Sequence, residues 1–337
     1  MDNKRNSVSS RPKSSPIGFM FKSLSVLALP LLVVGLFVFG IPRYYYSIND
    51  WIKLQNYTPN QEIKLLADDA RMTDKGRKIF YVTDPELNEK TRFNANCPFA
   101  ERSFVLGCFN GHNIYLLSVK DGRLKSVETV TAAHEMLHAA YERLSSEERN
   151  RIDSLIESKF KEISDQRLND LIADYRKQDP ESVPNELHSI LPTEVKDLGP
   201  ELEDYYKQYF TDRSKVVDKF QSYESVFSNL DIKIKAIELQ IDNLKIKISQ
   251  LDESIRKQRV EIDSQNALLK KYRDSGDIAS YNAQVPKQNQ LVNSYNNDVR
   301  EYNSSIETHN AKAKEVNEIV VQQNSLVNSI DSKFNEL

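Results

Sequence analysis

With 337 residues, 39% hydrophobic and 28% charged, the chain is long enough for about two domains. Its 46 basic residues are offset by 49 acidic ones, and the net charge of −3 argues against a nucleic-acid binder. No GxxxxGK[ST] run and no GxGxxG after a strand is present, which removes the usual nucleotide cradles.

The charge is unevenly placed. Lys4, Arg5, Arg11, Lys13 and Lys22 crowd residues 1–22, and Ser23 to Ile41 then carries no charge over 19 residues. At about 1.5 Å rise per residue that run matches a bilayer core of about 30 Å, so it reads as a transmembrane helix with a basic cytoplasmic tail before it. Arg43, Tyr44, Tyr45, Tyr46 and Trp51 resemble interfacial anchors within a juxtamembrane linker, 42–56. The expectation is a single-pass membrane protein whose N-terminus is cytoplasmic and whose later domains are extracytoplasmic.

From Gln61 to Arg71, Ile63, Leu65, Leu66 and Ala70 form a helical stripe, which Gly76 is expected to break. Lys78 to Thr83 reads as a buried strand stopped by Asp84-Pro85. Two further strands, Ser103 to Phe109 and Asn113 to Val119, flank Asn110-Gly111-His112 in a hairpin pattern. Cys97 and Cys108 are the only cysteines, and an even count outside the cytoplasm favours a disulfide; a free buried pair is the alternative.

Next comes Ala132-Ala133-His134-Glu135-Met136-Leu137-His138-Ala139-Ala140, an HExxH spacing among strong helix formers within an expected helix from Val127 to Leu144. Residues four apart share a helix face, so His134 and His138 can offer two imidazoles to one Zn2+. Glu135 then stands beside a water that the ion polarises, placed to act as general base. Ser145 and Glu148 make a capping box for the helix that follows. Further helices are expected at Arg151 to Ile163, Arg167 to Arg176, Pro184 to Leu191 and Pro200 to Phe210, with Pro192 ending the third.

On the residues His134 to His138 the chain resembles the zincin metallopeptidases. Tyr141 and Leu144 occupy the Gly and final His positions of the HExxHxxGxxH extension, which disfavours a metzincin. Asn185-Glu186 is similar to the Asn-Glu of the glutamate-ligand, or gluzincin-like, members, although Ile190 stands where they carry an Asp. The resemblance implies a zinc-dependent peptidase hydrolysing a polypeptide, with His134, His138 and Glu186 as metal ligands and Glu135 as the catalytic base. His188 and Glu194 are the alternative third ligands. It also implies a substrate-aligning strand, for which Asn113 to Val119 is the candidate.

Beyond Asp212, Phe220, Tyr223, Phe227, Leu230, Ile234, Ile237, Ile241, Leu244, Ile248, Leu251, Ile255 and Ile262 repeat at steps of four and three, and a second series runs from Val285 to Ile330. Asp274-Ser275-Gly276-Asp277 supplies a turn between them. The segment 213–337 therefore reads as an antiparallel coiled-coil hairpin able to pair with itself or a partner protein. The expected whole is an α+β protein: transmembrane helix 23–41, a zincin-like domain at 57–212, then the hairpin. A non-catalytic envelope scaffold working through the coil is the alternative function.

Overall fold

The computed structural model describes residues 41–98 and 106–333. The chain divides into two units, Met1–Pro59 and Asn60–Leu337. Within the first, α1 (Ile41–Asn56) is a helix where a linker is expected.

The second unit is predominantly helical, so the expected α+β class is corrected: its only sheet among the described residues has three short strands. It runs α2 (Gln61–Asp69), α3 (Asp74–Val82), β1 (Glu86–Asn88), α4 (Lys90–Asn96), β2 (Gly107–Phe109), β3 (Ile114–Leu117), α5 (Ser126–Glu142), α6 (Ser146–Phe160), α7 (Gln166–Gln178), α8 (Val183–Glu194), α9 (Pro200–Tyr206), α10 (Ser214–Asp274) and α11 (Ile278–Ile330).

The expected membrane anchor is also corrected. Among the described residues no helix is long and apolar enough to cross a membrane, and nothing described supports the single-pass topology. The run Ser23 to Ile41 lies outside the described residues except for Ile41, which opens α1.

The expected strand at Lys78 to Thr83 is instead the second half of α3. Thr73 caps that helix, its side chain accepting from the Gly76 N–H, and Ile79, Phe80 and Val82 are buried. Gly76 does not break the chain there. A Cβ on it would lie 2.5 Å from the Tyr209 carbonyl oxygen, so glycine is what lets α3 approach that backbone.

β3 is the central strand, parallel to β1 and antiparallel to β2. Its pairing with β2 forms the expected hairpin across Asn110-Gly111-His112. Cys97, at the C-terminus of α4, is disulfide-bonded to Cys108 in β2.

Helix α5 runs through the core in contact with α2, α3, α8, α10, β2 and β3. That crowding explains its alanines: Ala132, Ala133, Ala139 and Ala140 are nearly or fully buried and let neighbours approach, while Met136 and Leu137 fill the gaps. Each such large side chain contributes about 1.5–3 kcal/mol on burial. The Ser145/Glu148 capping box is present at the start of α6.

Helix α8 continues past Pro192 to Glu194, where an end at the proline is expected. Pro192 has no N–H for the carbonyl of His188, and the Tyr206 hydroxyl donates to that oxygen at 2.9 Å instead. Arg213, almost wholly buried at the head of α10, donates to the carbonyls of Pro192, Val195 and Lys196 and to the carboxylate of Glu203. These bonds fasten the end of α8 to the root of the coil.

The hairpin is antiparallel. Lys247 pairs with Glu301 at 2.7 Å, Ser254 donates to Asp298 and Gln265 donates to Gln284, with positions rising on one helix as they fall on the other. At about 1.5 Å per residue its 61- and 53-residue helices span roughly 90 and 80 Å. Near its root the seam departs from the expected register: Val320, a position of the second apolar series, is exposed, and Ile319 and Leu326 pack with Leu230 against Val119, Leu124 and Val127.

Candidate metal centre

Helix α5 presents His134 and His138 one turn apart, and the first turn of α8 brings Glu186 to the same point. One ligand atom from each of the three lies within 4.8 Å of the others. The two Nε2 atoms are 3.0 Å apart, and Glu186 oxygens stand 3.9 Å from His134 Nε2 and 3.8 Å from His138 Nε2. Tetrahedral zinc with Zn–N bonds of about 2.0–2.1 Å places its donors roughly 3.3 Å apart. The three residues fit such an ion in donor type and in spacing.

Their protonation suits the task. Burial, then the adjacent His138 and His188, push the His134 imidazole well below its ordinary pKa, so it is neutral near pH 7. His138 donates from Nδ1 to the Asn185 side-chain oxygen at 3.1 Å, which leaves its Nε2 lone pair aimed at His134 and Glu186. Asn185 thus orients one of the three clustered side chains, and its neighbour Glu186 is another.

Glu186 is pushed up to about 7, chiefly by burial, with Asp179 adding to the rise and a hydrogen bond from Tyr175 opposing it. A carboxyl that keeps its proton in the folded, metal-free protein favours that fold below about pH 4.5 and loses the advantage as pH rises through about 7. Metal binding must expel this proton. Apparent zinc affinity should therefore fall about tenfold per pH unit below 7 and level off above it, as read by chelator competition between pH 5.5 and 8. A flat profile would remove Glu186 from the ligand set.

The alternative third ligands are occupied elsewhere. His188 is fully buried and shares a 2.9 Å hydrogen bond with the Tyr205 hydroxyl; burial above all pushes its pKa down to about 3. Glu194, two turns beyond Glu186, pairs with Arg167.

Glu135 lies against β2. A Cβ on Gly107 would come within 2.8 Å of its Oε1 and within 2.5 Å of Thr131 Cγ2, so glycine is required where the strand meets the helix. The cleft over His134, His138 and Glu186, about 240 Å3, is lined by Glu135, Asn185, Tyr175, Glu142 and the Cys97–Cys108 pair together with β2. The strand beside the site is therefore β2, and the expected substrate strand, Asn113 to Val119, is corrected: β3 is paired along both edges. The second edge of β2 carries no strand among the described residues.

Sequence reasoning missed Tyr175, which reaches the site from α7, and the role of Asn185 toward His138. An aromatic residue eleven positions upstream of Glu186 on a separate helix leaves no spacing signal. No family model matches the chain, and neither the curated proteins nor the solved structures yield a match.

Proposed function

We propose that the protein is a zinc-dependent peptidase, and the observation that supports this most is the convergence of His134, His138 and Glu186 beside the buried carboxylate of Glu135. The resemblance of the HExxH helix and of Asn185-Glu186 to gluzincin-like zincins points the same way. When bound, Zn2+ polarises a peptide carbonyl and draws the pKa of water toward neutrality. His134 and His138 would hold the ion through neutral imidazoles, and Glu186 would do so as a carboxylate.

Glu135 takes a proton from the attacking water as the new C–O bond forms, then delivers it to the departing nitrogen as the C–N bond breaks. Asn185 fixes the His138 tautomer, and Tyr175 steadies Glu186. The edge of β2 that carries no strand among the described residues aligns an extended polypeptide by main-chain hydrogen bonds in this reading.

The test is metal analysis together with cleavage of a mixed peptide library. The expected result is one zinc per chain and cleavage abolished by a chelator and restored by zinc. A protein without zinc, or cleavage indifferent to the chelator, overturns the reading.

A second reading, a scaffold that works through its coil, draws on Ile232, Leu239 and Ile246. They lie seven residues apart on α10 and are exposed, a stripe that α11 does not cover.

A further inference from the structure

A second cleft, about 500 Å3, adjoins the metal centre. Gly107, His134, Glu135, Tyr175 and Glu186 line both cavities, so the two adjoin at these residues. One side of the second cleft comes from the peptidase-like core, through Val130 on α5, Leu171 on α7 and Ile190 on α8. The other side is the beginning of the coiled coil, where Phe220 and Tyr223 project from the first turns of α10.

We propose that the root of the coiled coil is the specificity wall of this site, with Phe220 and Tyr223 receiving a large apolar side chain of a polypeptide next to the bond that is hydrolysed. This rests on the peptidase reading above. The size and apolar lining suit an aromatic or long aliphatic side chain, which leaves water on entering.

The charges around the cleft exclude an acidic one. The guanidinium of Arg167 lies 5.2 Å over the Phe220 ring, and it is already surrounded by Glu194, Asp165 at 3.7 Å and Glu224 at 3.8 Å. One cation among three carboxylates leaves no positive charge for a substrate Asp or Glu, and the ring is held in place by the cation above it.

The coil is thereby part of the substrate site as well as a long projection from it. Phe220 and Tyr223 sit on the helix whose head Arg213 ties to the end of α8, the helix of Glu186. The specificity wall and the third ligand are thus joined to one frame.

The experiment uses the full zinc-loaded chain and peptides that differ only in Phe, Ala or Asp beside a cleavage point located by mass spectrometry. Wild-type protein should cleave the Phe peptide at least about tenfold better than the Ala peptide in kcat/KM, with the Asp peptide last. Leu171→Trp, which fills the cleft, should bring the Phe-to-Ala ratio of kcat/KM down to about one, with zinc content unchanged as the check that His134, His138 and Glu186 are intact. An unchanged Phe-to-Ala ratio in Leu171→Trp overturns the proposal and leaves hydrolysis standing.

Binding to the Glu135→Gln protein, followed by fluorescence anisotropy, separates the two ideas from the other side. Phe-selective binding that Leu171→Trp abolishes, without turnover by wild type, supports the cleft and overturns the peptidase. Neither binding nor cleavage overturns both.

Discussion

Glu135→Gln should lower kcat for peptide cleavage by about 10²- to 10⁴-fold while zinc stays bound at one per chain. Glutamine keeps the volume of the side chain, and volume matters because the residue is only 5% exposed and pressed against Gly107 of β2. What it loses is the ability to accept a proton from water. The ligands His134, His138 and Glu186 are untouched, so metal content and thermal midpoint should match wild type within error. Full activity in this variant would eliminate Glu135 as the base, whereas loss of zinc would show that its carboxylate has a structural duty toward the ligands.

Arg213→Met should cost about 2–3 kcal/mol, less than a fully buried charge pair because Glu203 is partly exposed while Arg213 is not. Methionine retains much of the apolar stem and supplies no donor. The carbonyls of Pro192, Val195 and Lys196 and the carboxylate of Glu203 would then lose the group that satisfies them; the Pro192 bond is buried, whereas Glu203 and Lys196 can turn to water. Thermal unfolding should show the midpoint falling on the order of 10 °C. Arg213→Lys should recover only part of the loss, because a point ammonium cannot reach three carbonyls and a carboxylate with the geometry of a planar fork. A loss below about 1 kcal/mol for Arg213→Met would mean that the joint between α8 and the coil is held by packing alone.

Local signals with a mechanism behind them were legible in the sequence. The apolar and alanine-rich pattern predicts a helix from Val127 to Leu144, and α5 spans Ser126–Glu142. Ser145 with Glu148 predicts a capping box, which is present, and the four-three spacing after Asp212 predicts two long helices. The approach of His134 to His138 could be anticipated because their spacing is a property of one helix.

The failures were tertiary. Lys78 to Thr83 is β-branched and aromatic enough to read as a strand, yet the Thr73 cap and the contact of Gly76 with Tyr209 set a helix there. Asn113 to Val119 was recognisable as a strand, but its central place depends on β1 arriving from the other side, which no local pattern announces. Pro192 looked like a helix end because the donor that compensates for it, Tyr206, lies on a different helix.

The disulfide has a bearing on metal chemistry. Cys97 and Cys108 border the cleft over His134, His138 and Glu186, and thiolates are softer donors that zinc accepts as readily as imidazole. Joined to each other, the sulfurs cannot coordinate. A reduced chain would set two competing nucleophiles beside a nitrogen and oxygen site, so under the proposed reading the oxidation state of this pair governs which donors a bound ion meets and should be controlled whenever the protein is purified or loaded.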